Sequence, residues 1–161
     1  MKRCRIPVFG WSVLFFVWVF ISTSHAGTII NQTFDSDILK REYRYNIYLP
    51  DDYENSNLRY PVLYLLHGSS GDENDWPVKG KIQPTADALM EKGEIPPAII
   101  VMPYHENAWW VDGNQEPAET VFIQELIPHI DGTYRTIPEK SGRLVGGLSA
   151  GGYGTVNFVL K

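Results

Sequence analysis

Residues 144–154 read Leu-Val-Gly-Gly-Leu-Ser-Ala-Gly-Gly-Tyr-Gly, and they carry a pattern from which a class of fold can be predicted. The apolar run Leu144–Leu148 predicts a buried strand, and residues 153–161 predict the start of a helix. A tight turn between the two elements carries the pattern Gly147-Leu-Ser-Ala-Gly151. Strand and helix can pass closely at such a turn only if the neighbouring residues lack side chains, which Gly147 and Gly151 provide. The alternative is a glycine-rich turn with an ordinary serine.

The predicted position of Ser149 is that of a catalytic nucleophile. Its hydroxyl is expected at the carboxyl edge of the sheet, where the amino end of the next helix favours negative charge. The backbone N–H of Ala150 is expected to point toward an oxyanion formed at Ser149. In folds with this elbow a second N–H comes from an earlier strand-end loop, here His67-Gly-Ser-Ser-Gly71, with Ser69 as the donor. That loop could also be a simple turn, and His67 is expected to orient it rather than to act as a base.

The rest of the chain alternates strands and helices. Tyr43–Leu49 alternates like a half-buried strand, and two apolar runs are typical of strands buried on both faces. This order predicts an α/β fold with a mostly parallel central sheet and flanking helices. The apolar runs are Tyr60–Leu66 and Ala98–Met102, and the predicted helices are Thr85–Lys92 and Pro117–Ile130, the latter kinked at Pro128.

Several segments together resemble the esterase D-like family of α/β hydrolases, which includes feruloyl and acetyl xylan esterases, S-formylglutathione hydrolases, enterochelin esterases and mycolyltransferases. The segments are Tyr45–Pro50, Tyr60-Pro-Val-Leu-Tyr-Leu-Leu-His-Gly68, Asp72-Glu-Asn-Asp-Trp76, Ala98–Pro103, Glu125-Leu-Ile-Pro-His-Ile-Asp131, Tyr134-Arg135 and Gly147-Leu-Ser-Ala-Gly-Gly-Tyr-Gly154.

The resemblance implies an α/β-hydrolase fold and hydrolysis of an ester or thioester through an acyl-enzyme. Ser149 would be the nucleophile, and Ser69 and Ala150 would supply the oxyanion hole. Trp109 and Trp110 fall where such enzymes often have aromatic residues, and they could form a wall for an aromatic acyl group or a sugar. Packing beneath the loop is the alternative role for both tryptophans.

An acid and a base are expected after the nucleophile in this fold, in the order Ser, Asp or Glu, His. The residues from Ala150 to Lys161 contain none of these types, and His67, His105 and His129 all precede Ser149. Without a base the Ser149 hydroxyl is a weak nucleophile at neutral pH. Residues 27–161 are therefore expected to be the N-terminal portion of an esterase domain, truncated after the elbow and inactive alone.

Residues 1–26 have the layout of a cleaved signal peptide, with a basic start, a short apolar core and the end Ser24-His-Ala26. A membrane anchor is the alternative, but the apolar run is shorter than the roughly 20 residues that span a bilayer. We therefore expect a secreted or periplasmic protein that meets a membrane only through its export signal. Cys4 is the one cysteine, so the mature chain would have no disulfide and no thiolate metal site.

The chain has 161 residues and a net charge of −5, which argues against nucleic acid as a partner. Asp72, Glu73 and Asp75 lack the glycine and distal glutamate of a calcium loop, so we interpret them as a solvated turn with Trp76 packed inward. No metal or cofactor is expected, and the expected partner is an ester substrate, such as an acylated polysaccharide. The alternatives are a non-catalytic module that binds carbohydrate or protein, and an acyltransferase with the same first chemical step.

Overall fold

The computed structural model describes residues 26–106, 109–113 and 116–160. Its strands are β1 (Thr28–Ser36), β2 (Arg41–Leu49), β3 (Val62–Leu66), β4 (Ile99–Pro103) and β5 (Arg143–Gly147). Its α-helices are α1 (Ile82–Glu91), α2 (Ala118–Val121), α3 (Ile127–Thr133) and α4 (Ala150–Val159), with π-helical turns at Asp75–Lys79 and Phe122–Leu126 and a 3-10 turn at Lys140–Gly142. The predicted signal peptide lies outside these residues, apart from Ala26. None of the helices within the described ranges is long and apolar enough to cross a bilayer.

The strands form one mixed sheet in the order β1-β2-β4-β3-β5. β3 is parallel to both β4 and β5, which confirms the predicted parallel centre. β1 and β2 run antiparallel to each other, and β2 runs antiparallel to β4. The parallel register pairs Leu66 with Gly147. The segments that follow β3 and β5 therefore leave the sheet side by side at one edge.

Both faces of the central strands β2, β4 and β3 are covered. One face packs Tyr45, Ile47 and Val101 against the helical layer that includes Phe122 and Ile130. The opposite face forms a smaller cluster of Tyr48, Leu65, Ala86, Ile100 and Met102 beneath α1. The two apolar layers hold the central strands in place and leave the carboxyl edge for the loops.

The sequence interpretation of the first two strands needs two corrections. β1 was not predicted, because Thr28–Ser36 is mostly polar; the strand pairs along its whole length with β2 at the border of the sheet. β2 was predicted to be half-buried, yet Asn46 and Tyr48 on its second face are also buried. The Tyr48 hydroxyl donates to Asp87 of α1 over 2.7 Å, so that helix covers the face that was expected to meet solvent.

The predicted helices exist, but their boundaries differ. α1 begins at Ile82, ahead of Pro84, because a proline is tolerated in the first turn, where its missing N–H has no helical partner. The predicted helix Pro117–Ile130 is divided by the turn Phe122–Leu126, and Pro128 is the second residue of α3. A widened, π-helical turn therefore stands directly ahead of α3, and the kink at Pro128 stays a prediction.

β5 is less buried than an internal strand of a parallel sheet. Leu144 is 54% exposed, and among the described strands β5 pairs with β3 alone. The prediction of a fully buried strand is therefore wrong for β5. The pairing of its last residue, Gly147, with Leu66 of β3 nevertheless places the Ser149 turn at the sheet edge.

Candidate active site

Ser149 stands between the end of β5 and the first residue of α4. Its φ of 55° and ψ of −114° form a backbone conformation that side-chain-bearing residues rarely adopt. Such strain costs on the order of 1–3 kcal/mol and persists where the surroundings fix it. The Ser149 side chain is exposed, whereas Ala150 beside it is buried. The turn thus presents one hydroxyl at the amino end of a ten-residue helix.

Two glycines make this tight turn possible. A Cβ on Gly147 would overlap the backbone of Gly151, and a Cβ on Gly151 would overlap the carbonyl oxygens of Leu66 and His67. α4 therefore starts directly against the end of β3. This contact supports the steric reason for the spacing Gly-x-Ser-x-Gly.

The glycine contacts lead to a stability prediction. Gly151→Ala should lower the free energy of unfolding by about 1–3 kcal/mol, because the new methyl group must displace backbone. Gly152→Ala is the matched control, since its Cβ would lie 3.4 Å from its nearest neighbour, the Gly147 carbonyl oxygen. Alanine is also a better helix former than glycine, so Gly152→Ala should be neutral or stabilising. Urea unfolding of both variants measures the difference, and equal stabilities would contradict the packing described.

The loop His67-Gly-Ser-Ser-Gly71 lies against the serine turn. A Cβ placed on Gly68 would be 3.6 Å from the Ser149 Cβ. The Gly71 N–H donates to the Gly68 carbonyl over 3.1 Å, and Ser70 has a φ of 61°. With positive φ at the third position only, the four residues form a type II turn. The structure therefore brings the predicted donor segment at Ser69 close to the predicted nucleophile.

His67 is buried, and both of its ring nitrogens are engaged. Nδ1 lies 2.8 Å from the Gly68 carbonyl oxygen, and Nε2 accepts the His105 backbone N–H over 3.2 Å. These contacts agree with the predicted role of His67 in orienting the loop. They leave neither nitrogen for a proton from Ser149.

The other two mature histidines are engaged elsewhere in the described part of the chain. His105 Nε2 lies 3.2 Å from Glu116, and His129 Nε2 lies 3.0 Å from the Tyr45 hydroxyl. Burial lowers the pKa of His129. The geometry therefore assigns no base to Ser149 from among these residues.

The two tryptophans that were predicted to contact substrate differ in their exposure to solvent. Trp110 is 0% exposed, and its indole N–H donates to the His67 carbonyl over 3.0 Å. It packs beneath the loop, which is the alternative role, and presents no surface to a ligand. Trp109 is 55% exposed and makes an edge-to-face contact with Tyr153 at 5.5 Å between ring centroids. Of the pair, only Trp109 stays a candidate for substrate contact.

Tyr153 had no predicted role, although its position four residues after Ser149 in a predicted helix could have indicated that it lies near the nucleophile. It follows Ser149 by one helical turn, and its N–H donates to the Ser149 carbonyl over 3.1 Å. Its side chain is 54% exposed. Tyr153 and Trp109 therefore form an exposed aromatic pair one turn from the nucleophile.

The acidic segment after the loop is only partly a solvated turn. Trp76 packs inward as predicted, and its indole N–H donates to the Leu66 carbonyl over 3.2 Å. Glu73 is only 6% exposed, which corrects the expectation that its side chain is solvated. Arg44 approaches it with 3.9 Å between Nε and Oε1. Across residues 26–106, 109–113 and 116–160, no group of three or more His, Cys, Asp or Glu side chains is arranged to hold a metal ion.

Most of the chain matches a known protein family. A family model described as "Putative esterase" matches residues 36–161, a span that includes the loop after β3 and the Ser149 turn. The chain belongs to this esterase family. The match confirms the resemblance stated from the sequence motifs.

The relatives of this chain include proteins that are much longer than it is. It is 38% identical over 144 residues to an endo-1,4-beta-xylanase/feruloyl esterase from Xylanibacter ruminicola, an alignment that covers 84% of this chain and 20% of that protein. It is 36% identical over 126 residues to an esterase from Mycobacterium tuberculosis, covering 72% of this chain and 25% of that one. The chain thus spans a quarter or less of the length of these relatives.

Solved structures confirm the α/β-hydrolase fold. A ferulic acid esterase superposes with a TM-score of 0.79 and 32% identity, over 83% of this chain and 53% of that chain. An S-formylglutathione hydrolase from Agrobacterium tumefaciens superposes with a TM-score of 0.70 and 19% identity, over 86% and 55% of the two chains. The chain therefore spans about half the length of these solved structures.

Proposed function

We propose that this chain is the nucleophile-bearing part of an exported serine esterase that cleaves carboxylic esters through an acyl-enzyme. The observation that carries the proposal is the strained, exposed Ser149 between the type II turn at Ser69 and the amino end of α4. An exposed hydroxyl fixed at such a turn can be approached by a carbonyl carbon with its position already set by the backbone. Membership of the esterase family supports the same chemistry.

In the proposed reaction, the Ser149 Oγ bonds to the ester carbonyl carbon as a general base takes its proton. The carbonyl oxygen becomes an oxyanion that accepts hydrogen bonds from the N–H groups of Ala150 and Ser69. Collapse of the tetrahedral intermediate breaks the bond to the alcohol oxygen, which leaves with the proton from the base. Water then attacks acyl-Ser149, and the acid product leaves with the Oγ proton restored.

The base and its orienting acid are proposed to come from polypeptide outside residues 27–161. Here "the whole esterase" means the polypeptide in which that acid and base accompany these residues. The whole esterase should hydrolyse p-nitrophenyl acetate, whereas residues 27–161 alone should show no turnover that depends on Ser149. Robust turnover by residues 27–161 that Ser149→Ala abolishes would contradict the proposed need for an external base.

The proposed substrate is an ester-linked acyl group on a polysaccharide. The names of two relatives, a xylanase/feruloyl esterase and an acetyl esterase, support feruloyl or acetyl groups. The exposed rings of Trp109 and Tyr153 offer apolar faces on which an aromatic acyl group or a sugar could stack. A mycolyltransferase-like acyl transfer shares the first step and would differ only in the acceptor.

Export through a cleaved signal peptide is part of the proposal. Residues 1–26 have the basic, apolar and small-residue regions of such a signal. The proposed location is the periplasm or the exterior of the cell. If residues 1–26 are cleaved, N-terminal sequencing of the mature protein should begin at Gly27.

A further inference from the structure

The hydrogen bonds of His67 define the protonation state of its ring. A carbonyl oxygen can only accept a hydrogen bond, so Nδ1, at 2.8 Å from the Gly68 carbonyl, must carry a proton. A backbone N–H can only donate, so Nε2, at 3.2 Å from the His105 nitrogen, must carry none. His67 is therefore a neutral imidazole in one specified tautomer.

Packing fixes the position of this ring. The Trp110 ring meets it edge to face, with centroids 5.0 Å apart, and the Trp110 indole N–H holds the His67 carbonyl. Trp110 itself has a φ of 56°, a conformation that is rare for so large a residue. A Cβ on Gly154 of α4 would overlap the Trp110 side chain, so that glycine provides the space. Contacts with Trp110 thus restrict both the side chain and the backbone carbonyl of His67.

The effect of His67 on catalysis passes through one peptide unit. The Gly68 carbonyl accepts hydrogen bonds from His67 Nδ1–H and from the Gly71 N–H. The same planar unit contains the Ser69 N–H, and in a trans peptide the N–H points opposite to the C=O. The described residues contain no cis peptide bond. Fixing the direction of the Gly68 carbonyl therefore fixes the direction of the Ser69 N–H.

We propose that His67 is a positioning residue: its Nδ1–H, held in place by His105 and Trp110, aims the Ser69 N–H at the oxyanion. This inference rests on the proposed function, because the oxyanion forms only if Ser149 attacks an ester. It gives a role to the two ring nitrogens of His67, which contact the Gly68 carbonyl and the His105 N–H rather than the reacting atoms.

Two substitutions by amide side chains distinguish the contributions of Nδ1 and Nε2. Asn places an amide nitrogen near the position of Nδ1, so His67→Asn keeps a donor for the Gly68 carbonyl. Gln reaches the position of Nε2, so His67→Gln keeps an acceptor for the His105 N–H and loses that donor. A merely structural role would make the two variants similar, since both remove the ring that packs on Trp110.

In the whole esterase, His67→Gln should lower kcat by about 10–100-fold, somewhat less than the loss of an entire oxyanion donor. KM should change less than about twofold, because the oxyanion is present in the transition state and absent from bound substrate. His67→Asn should retain kcat to within about fivefold of the wild-type value. Equal losses in both variants, or a loss confined to KM, would overturn the assignment.

A spectroscopic measurement on the wild-type protein tests the same assignment without turnover and without variants that must fold. The ¹⁵N chemical shifts of His67 at neutral pH should be those of an Nδ1-protonated neutral ring, and an Nε2-protonated ring would overturn the proposal. Failure of the whole esterase to hydrolyse any ester would contradict the proposed function instead. In that event the ¹⁵N result still decides whether His67 holds the loop as described.

Discussion

Ser149→Ala should abolish ester hydrolysis by the whole esterase, with a fall in kcat of about 10⁶-fold, which is the loss seen when a serine protease loses its nucleophile. The physical reason is that no other hydroxyl can occupy the strained position that Ser149 takes at the head of α4. Binding should persist, because the Ser69 turn and the proposed substrate contacts at Trp109 and Tyr153 are unchanged. Initial rates with p-nitrophenyl acetate and a fluorescence titration with the acid product measure the two properties separately.

The matched control for this variant is Ser141→Ala. Ser141 is also an exposed serine, but it lies in the 3-10 turn at the opposite, amino end of β5. Its replacement should leave kcat unchanged to within about twofold, as is usual for surface positions away from a site. Substantial activity in Ser149→Ala, or its loss in Ser141→Ala, would refute the assignment of the nucleophile.

Ser69→Pro should lower kcat by about 10²–10³-fold, which is the typical effect of removing one oxyanion donor. Proline has no backbone N–H, so the substitution deletes the proposed donor itself. Ser69 is the second residue of a type II turn, a position at which proline is common, so the loop should keep its shape. The measurement is kcat and KM for an acetyl ester, with the loss expected in kcat.

Ser69→Ala separates the backbone donor from the side chain. It removes the exposed hydroxyl and keeps the N–H, so its kcat should remain within about threefold of the wild-type value. Urea unfolding of both variants controls for the integrity of the turn. A proline variant as active as the alanine variant would place the second oxyanion donor elsewhere.

The sequence predicted the centre of the molecule well, because its signals there are local. The continuous apolar runs that form β3 and β4 reflect burial on both faces, and the spacing of Gly147 and Gly151 reflects direct contact with a neighbouring strand. The relation between Ser69 and Ser149 was also predictable. It follows from the parallel pairing of the strands that precede them.

Features that depend on distant partners could not be predicted in the same way. β1 is mostly polar, so its pairing with β2 leaves little trace in its own composition. Trp110 and Trp109 are adjacent in sequence, yet one is buried against Gly154 and the other is exposed beside Tyr153. The backbone turn at Trp110, with its φ of 56°, separates their directions, and composition and periodicity carry no signal for it.

The position of a covalent adduct would show whether Ser149 is the nucleophile. The whole esterase would be treated with a fluorophosphonate, digested and analysed by mass spectrometry, with Ser149→Ala treated in parallel. We expect one stoichiometric adduct on Ser149 in the wild-type protein, together with loss of activity, and no adduct in the variant. A stoichiometric adduct on another residue, or full activity after Ser149 has been modified, would contradict this assignment of the nucleophile.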